Sequence, residues 1–207
     1  MRQTSEKKAH IINVAEALFS EKGFEGTSIR DLSTRADINI AMVNYYFGTK
    51  EKLFEALIND RVDYKKEEMD ELVKDKNQNA VQKISQLIDL YVEKIFHNTR
   101  FNVVMQREAS LLQRTDLTNK ISEALMSTVN NIRKVVTEGQ KAGLFKDGID
   151  VDMCILIIMG AVSQVTYNRL IAEKVLKSDI DNEKKKAVLM ERVKKHLKEI
   201  TLDYLKK

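Results

Sequence analysis

The chain contains no proline, and it has one cysteine and seven glycines among 207 residues. Proline breaks helix interiors, so a proline-free chain rich in Lys, Glu, Leu and Ile predicts an all-α fold. With a single cysteine, Cys154, no intramolecular disulfide can form, which indicates a reducing compartment. The apolar neighbours of Cys154 predict an inert buried thiol.

Long hydrophobic runs are also missing. The first ten residues, MRQTSEKKAH, include no apolar segment of the kind that a signal peptide carries. The longest apolar run, Met153–Val162, is well short of the roughly 20 residues that cross a bilayer. These absences predict a soluble, cytoplasmic protein.

A strong excess of one charge sign is absent as well. The formal net charge is +4, and residues 1–60 hold eight Lys/Arg against nine Asp/Glu, a balance of −1. Bulk charge therefore gives little support for a nucleic-acid partner. Any DNA-binding site must depend on where individual side chains lie.

Sequence patterns typical of enzymes and metal sites are not present. The three histidines, His10, His97 and His196, are far apart in the chain and lack metal-ligand spacing. There is no glycine-rich phosphate loop and no G-x-S-x-G motif. The sequence predicts a protein that is not an enzyme and that has neither a metal site nor a cofactor.

Apolar periodicity in the first third of the chain predicts four helices separated by tight turns. Gly23 is the expected C-cap of the first helix, Ser28 the N-cap of the second, and Asn39 the N-cap of the third. The four predicted helices span about residues 5–22, 29–35, 40–46 and 50–73. Two short helices joined by a tight turn, with another packed behind, predict a helix-turn-helix, whose second helix lies in the DNA major groove.

The stretch INIAMVNYYFGTKEKLF, residues 38–54, interleaves polar and apolar residues in a way that suits such a helix. Asn pairs bidentately with adenine, a methyl-bearing side chain contacts the thymine methyl, and Arg reads guanine. Hydroxyls, lysines and helix N-termini contact phosphate. On these grounds the residues predicted to contact DNA are Thr27, Ser28, Arg30, Asn39, Ala41, Met42, Asn44, Tyr45 and Lys50.

Over about residues 9–58 the chain resembles the TetR family of transcriptional regulators. The resemblance is carried by A-x-x-L-F-x-x-x-G-F at the end of the first helix, T-S-I-R-D-L at the start of the second, and V-N-Y-Y-F-G-T-K-E-K-L-F. It implies DNA contacts from the same set of residues. Ile40 departs from the family pattern, because many members have Lys or another polar residue there. We therefore predict a thymine-methyl contact from Ile40.

The resemblance implies two domains. Residues 1–50 correspond to the helix-turn-helix domain and residues 51–207 to a helical domain that binds an effector and dimerises, with the helix from about 50 to 73 linking the two. About nine helices are expected in all. Those after the link are predicted at about residues 80–97, 101–113, 117–142, 150–175 and 182–206.

A dimer interface is predicted from the last two helices. The helix around Met153–Val162 is apolar on its whole circumference, which predicts burial on all sides. The final helix carries a seam that includes Leu189. The predicted interface residues are Ile157, Gly160, Ala161, Val193, Leu197, Ile200 and Tyr204. The alternative is that these apolar residues pack only within one subunit.

An effector pocket is predicted from aromatic, methionine and amide residues on the C-terminal helices, a set that suits a largely apolar small molecule. The predicted pocket residues are Tyr91, Phe96, Phe101, Met105, Met126, Gln164 and Tyr167. The alternative for each of them is plain core packing. The orientation of Arg107 and Glu108, which lie in the same region, stays open.

The sequence thus predicts a sequence-specific DNA-binding transcriptional regulator. The expected form is a homodimeric repressor that a small-molecule effector releases from a near-palindromic operator in double-stranded DNA. One alternative is a DNA-bound adaptor whose C-terminal domain binds another protein. An activator and a helical interaction module with no role in DNA binding are further alternatives.

Overall fold

The computed structural model describes residues 2–62, 64–110, 115–168 and 170–207, and this part of the chain is helical. Its α-helices are α1 (Arg2–Lys22), α2 (Ile29–Ala36), α3 (Ile40–Phe47), α4 (Lys50–Val62), α5 (Lys66–Lys74), α6 (Ala80–His97), α7 (Thr99–Ser110), α8 (Thr115–Lys141), α9 (Val151–Tyr167) and α10 (Glu183–Leu205). The predicted all-α fold is confirmed. None of these helices has the length and hydropathy that crossing a membrane requires.

The chain divides into two compact units. The N-terminal unit comprises residues 1–63 and 100–124, and the C-terminal unit comprises residues 64–99 and 125–207. The N-terminal unit therefore contains α4 and most of α7 in addition to the predicted helix-turn-helix.

Three phenylalanines form the centre of the N-terminal unit. The rings of Phe19, Phe24 and Phe54 lie 5.1–5.5 Å apart between centroids, and all three side chains are fully buried. Such pairs contribute about 0.5–1.5 kcal/mol beyond the area they bury. From α7, Phe101 and Met105 pack into the same core. This core holds together α1, α4 and the turn before α2.

The helix predicted over about residues 50–73 is two helices in the structure. Helix α4 ends at Val62 and α5 begins at Lys66. Lys65 adopts a left-handed conformation with φ of 64°, which a continuous right-handed helix does not allow. The Lys65 ammonium lies 2.7 Å from Glu68 and 3.4 Å from Glu93. Both carboxylates thus pair with the side chain of the residue at which the helix is interrupted.

Helix α6 is central to the C-terminal unit, where it packs against α5, α9 and α10. Three lysines connect it to neighbouring helices through ion pairs. Lys83 of α6 contacts Glu138 at 2.9 Å, Lys194 contacts Glu93 at 2.8 Å, and Lys198 contacts Asp89. Lys83 is almost fully buried, so its paired carboxylate is essential to its burial.

Within a single chain, α9 is buried on one face only and not on all sides as predicted. One face, which includes Cys154, packs into the core of the C-terminal unit, and burial raises the pKa of the Cys154 thiol. The opposite face is exposed, and we call it the α9 stripe. It consists of Met153, Leu156, Ile157, Gly160 and Ala161.

The end of α9 and the face of α10 also differ from prediction. Helix α9 ends at Tyr167 rather than near residue 175, and a π-helical segment, Ile171–Val175, follows it. On α10, Val193 and Leu197 pack against the chain's own core, while Ile200 and Tyr204 are exposed. All four residues lie on one side of α10, so their different exposure depends on their position along the helix and not on the face that they occupy.

Candidate nucleic-acid interface

Helices α2 and α3 form a helix-turn-helix with well-defined ends. Ser28 caps α2 in a capping box, in which its hydroxyl oxygen accepts from the Asp31 N–H at 3.1 Å and Asp31 accepts from the Ser28 N–H at 2.9 Å. Asp37 ends α2 in the left-handed region with φ of 53°. Two residues later, Asn39 caps α3 by accepting from the Ala41 N–H at 2.9 Å. The predicted caps at Ser28 and Asn39 are confirmed.

Asp31 gives the start of α2 a fixed negative charge. The hydrogen bond from the Ser28 hydroxyl, followed by that from Lys22, holds the pKa of the Asp31 carboxyl far below its ordinary value. Asp31 is therefore ionised at every physiological pH, and it lies at the favourable end of the helix dipole. Since the Ser28 hydroxyl donates to Asp31 at 2.5 Å, it is not free to donate to a phosphate.

Two more residues predicted to contact DNA, Thr27 and Lys50, make hydrogen bonds within the protein. Thr27 is 1% exposed, and its hydroxyl donates to the Gly23 carbonyl at 2.8 Å. The Lys50 ammonium donates to the carbonyls of Phe24 and Thr27 at 2.9 and 3.0 Å and lies 4.4 Å from the centroid of the Phe24 ring. Its side chain is only 18% exposed. The structure assigns both side chains to holding the turn between α1 and α2.

The sequence could not distinguish these two roles. A Thr or Lys near a helix N-terminus is equally suited to a phosphate and to a backbone carbonyl of the preceding turn. The choice depends on the path of the chain from Gly23 to Thr27, which only the tertiary fold determines.

Replacing Lys50 with methionine tests whether its main role is to hold the turn between α1 and α2. We expect the variant to lose about 1.5–3 kcal/mol of unfolding free energy, the usual contribution of hydrogen bonds to a charged group. Its DNA affinity should fall at every salt concentration by a similar factor. A residue that neutralises one phosphate would instead change the slope of log K against log salt by about one unit. Chemical denaturation and fluorescence anisotropy over a salt series measure the two effects.

The outer face of α3 is open to solvent. Ile40, Ala41, Asn44 and Tyr45 are exposed, and Tyr45 is 81% exposed with its ring edge-on to Tyr46. Their spacing of i, i+1, i+4 and i+5 places them on one side of the helix. Val43, on the other side, is buried in the core.

Other residues predicted to contact DNA differ in how free their side chains are. Arg30 and Asn39 are exposed, and Met42 is half-buried. Among the described residues, no side-chain hydrogen bond or ion pair engages Arg30 or Asn44. Arg30, Asn44 and Tyr45 therefore present functional groups that are available to a ligand.

Ion pairs fix α2 against α1. Arg35 makes a bidentate pair with Glu21, at 2.5 and 2.9 Å, and Lys22 contacts Asp31 at 2.9 Å. On the other side of α1, Arg61 of α4 contacts Glu16 at 2.7 Å. These ion pairs use basic side chains to hold α2 and α4 against α1. A net charge close to zero in this unit is therefore compatible with a fixed position of the helix-turn-helix.

Sequence reasoning missed the contribution of α7 to this scaffold. The Glu108 carboxylate accepts from the Phe24 N–H at 3.2 Å. The Arg107 guanidinium lies so close to Gly23 that a Cβ built there would be 2.8 Å from its Cζ atom. Gly23 has φ of 78°, so any other residue would be strained there, and a side chain would also require the Arg107 guanidinium to shift. No local pattern predicts contacts between residues 84 positions apart.

The predicted effector-pocket residues fall into three groups. Tyr91 and Phe96 lie in the core of the C-terminal unit, where burial raises the pKa of the Tyr91 phenol. Phe101 and Met105 belong to the core of the N-terminal unit. The remaining three, Met126, Gln164 and Tyr167, are exposed.

A groove of about 700 Å³ occurs elsewhere in the C-terminal unit, along one face of α8. None of the seven predicted pocket residues lines it. Two of its charged side chains pair with residues outside the groove, since Arg133 contacts Asp152 at 2.8 Å and Glu138 contacts Lys83 at 2.9 Å. The groove is lined by Arg133, Lys134, Thr137, Glu138, Lys141 and Ala142. The described residues contain no group of three or more His, Cys, Asp or Glu placed to hold a metal ion.

Comparison with known proteins agrees with this geometry. Residues 11–57 match the model of bacterial regulatory proteins of the tetR family, and residues 54–188 match the YsiA-like protein C-terminal region. The fatty acid metabolism regulator protein of Bacillus subtilis is 25% identical over 164 residues, which cover 79% of this chain and 84% of that protein. The repressor KstR2 of Mycobacterium tuberculosis is 24% identical over 151 residues, covering 73% and 75%.

Solved structures share the fold along nearly the whole chain. The structure of KstR2 of Mycobacterium tuberculosis has a TM-score of 0.78 at 20% identity and covers 97% of this chain and 95% of its own. FadR of Bacillus subtilis, solved with stearoyl-CoA, has a TM-score of 0.68 at 23% identity, with coverage of 91% and 96%. Together with the family models, which extend over both units, and the exposed face of α3, these matches identify the chain as a member of the TetR family of DNA-binding transcriptional regulators.

Proposed function

We propose that the protein is a homodimeric repressor that binds a near-palindromic operator in double-stranded DNA and leaves it when a small-molecule effector binds. The observation that carries the DNA-binding part is the outer face of α3, where polar and apolar side chains are exposed on a helix whose ends are firmly capped. Relatives named as repressors support the direction of regulation. The proposed location is the cytoplasm, where the operator lies.

The proposed DNA contacts are a reduced form of the predicted set. Arg30, Asn44 and Tyr45 have free functional groups, and the start of α3 contributes Asn39 through Met42. The start of α2 offers backbone N–H groups to a phosphate. In a symmetric dimer, the two helix-turn-helix motifs bind half-sites about 34–36 Å apart or a multiple of that distance.

The proposed dimer forms through the α9 stripe together with Ile200 and Tyr204 of α10. Apolar side chains exposed next to one another are unusual on a monomeric surface and mark an interface. Gly160 and Ala161 permit close approach of a partner helix. The adaptor alternative keeps DNA binding but would seat another protein on the C-terminal domain. A monomeric mass of the purified protein would contradict the proposed dimer and leave this stripe open to such a partner.

A largely apolar effector is proposed for the region from residue 51 to residue 207. A long-chain acyl-CoA is the first candidate to test, because the similar FadR structure holds stearoyl-CoA and the similar Bacillus subtilis protein is a fatty acid metabolism regulator. An effector acts only through a difference in affinity between two states, and by linkage operator DNA must weaken effector binding by the same factor.

Selection of a random double-stranded DNA pool with the purified protein, at near-physiological salt, tests this proposal. We expect enrichment of an inverted repeat, which the Asn44→Ala/Tyr45→Ala double variant no longer enriches. Stearoyl-CoA titrated onto the protein–operator complex should release the DNA, whereas free CoA should not. A folded protein that enriches no sequence would contradict the proposed function. Release by neither compound would contradict only the choice of effector.

A further inference from the structure

We infer that the base pairs read by α3 are A·T pairs, with one adenine in each half-site recognised by Asn44, and that the guanine of the half-site is read by Arg30 of α2. This inference rests on the proposed DNA-binding function and specifies the bases that the same site recognises. It follows from which side chains on α3 are free, which are engaged, and which chemical groups the helix lacks.

Asn44 is the amide on α3 whose two ends are both available. Its side chain is exposed and engages none of the described residues. An asparagine with a free carbonyl and a free NH₂ group pairs bidentately with adenine, accepting from N6 and donating to N7. Neither group finds the same pair of partners on guanine, thymine or cytosine.

Asn39 differs from Asn44 although the two residues have the same side chain. Its Oδ1 atom accepts from the Ala41 N–H at 2.9 Å as the N-cap of α3. This bond turns the carbonyl oxygen that adenine N6 would need toward the backbone of α3, so Asn39 is poorly placed for a bidentate pair with adenine. Asn39 positions the helix, and the adenine preference falls to Asn44.

The first turn of α3 presents apolar groups where the helix enters the groove. Ile40 is 41% exposed, Ala41 is exposed, and Met42 is half-buried. These side chains offer no donor or acceptor to a base edge, and in the major groove an apolar group finds its partner in the thymine C5 methyl. N-terminal residues of a recognition helix are those that reach base edges. We therefore place thymines opposite this first turn, because their methyl groups are the apolar partners that these side chains can reach.

The composition of α3 excludes the usual readers of G·C pairs. The sequence IAMVNYYF contains no Arg or Lys to donate to guanine O6 and N7, and no Asp or Glu to accept from cytosine N4. Lys50, at the start of α4, is held by the carbonyls of Phe24 and Thr27. Arg30 on α2 is exposed with no partner among the described residues, so it supplies the guanidinium for one guanine.

Base analogues in the selected operator test the inference. Each thymine of a half-site is replaced in turn by uracil, which removes only the methyl group, and each adenine by 7-deazaadenine, which removes only N7. Affinity is measured by fluorescence anisotropy for the wild type and for Asn44→Ala. Asn39→Ala is the matched control, because it removes the same amide from the same helix but disturbs the cap.

For the wild type we expect one adenine per half-site at which 7-deazaadenine lowers the affinity about 5- to 150-fold. Replacing a contacted thymine with uracil should lower the operator affinity about fourfold, which corresponds to the loss of one buried methyl group. Asn44→Ala should bind the deaza and normal operators equally. Asn39→Ala should keep the difference while losing thermal stability. The Arg30→Ala variant should no longer distinguish guanine from other bases at one position of the half-site. Its discrimination at the adenine and thymine positions should be unchanged.

Two results would overturn the inference. A selected half-site with G·C pairs at the positions that α3 contacts would do so, as would an Asn44→Ala variant that still discriminates against 7-deazaadenine. Both leave the proposed DNA-binding function intact, because an inverted repeat is still enriched. Failure to enrich any sequence would overturn the inference together with that function.

Discussion

Replacing Ile157 with aspartate is expected to convert the protein into a monomer and to lower its operator affinity by about 100-fold or more, the advantage that two linked binding heads have over one. Ile157 is 57% exposed and lies in the middle of the α9 stripe. In the isolated chain the new carboxylate stays in water, so folding is little affected. In a dimer the same carboxylate would be buried without a partner, at a cost of several kcal/mol. Sedimentation equilibrium and fluorescence anisotropy with the operator measure the two effects.

The control for this variant is Leu125→Asp, which places the same charge on an exposed leucine of α8 that is not part of the α9 stripe. It should stay dimeric and keep its operator affinity. An Ile157→Asp protein that remains a dimer of unchanged affinity would show that the α9 stripe is not the interface. The stripe would then be the surface that the adaptor alternative requires.

Gly139→Ala is expected to destabilise the C-terminal unit by about 2 kcal/mol, although alanine is the better helix former by about 1 kcal/mol. Gly139 lies in α8, and a Cβ placed on it would be 2.1 Å from Cδ2 of Phe145 and 2.9 Å from Cβ of Ala80. Phe145 is fully buried, and the next residue, Lys146, is tied to the Leu205 carbonyl by its N–H at 2.8 Å. The ring has no free space to move into, so the added methyl must displace packed backbone.

Gly160→Ala is the matched control, because the same change in another helix meets open space. No atom lies within 4 Å of a Cβ built on Gly160. In the Ile157→Asp monomer it should therefore add about 1 kcal/mol of stability, the helix-propensity gain alone. The thermal unfolding midpoint should fall for Gly139→Ala and rise for Gly160→Ala, each relative to the protein into which the change is introduced. A midpoint for Gly139→Ala at or above that of the parent protein would contradict the packing around Phe145.

The parts of the site that the sequence predicts are those that short-range physics determines. Capping by Ser28 and Asn39 needs only residues two or three positions away, so sequence spacing identifies both caps. The exposed face of α3 follows from helical periodicity once Val43 is placed inward. Gly23 as a C-cap follows from its place after the last apolar residue of α1.

The parts that the sequence does not predict depend on distant contacts. The carbonyls that engage Lys50 belong to residues 23 and 26 positions earlier. Phe101 and Met105 appear suited to a ligand pocket until the fold brings α7 against the core of the N-terminal unit. The break between α4 and α5 occurs at the left-handed Lys65, whose ammonium pairs with Glu93 of α6. Periodicity within one segment contains no information about such partners.

The mass of the protein–operator complex tests the central claim most directly, namely that two chains each place one α3 in half of an inverted repeat. Native mass spectrometry would be carried out with the selected operator and with the same duplex after one half-site is scrambled. We predict two chains on the intact operator, and a large loss of the complex on the scrambled duplex. A single chain bound equally well to both duplexes would contradict the claim.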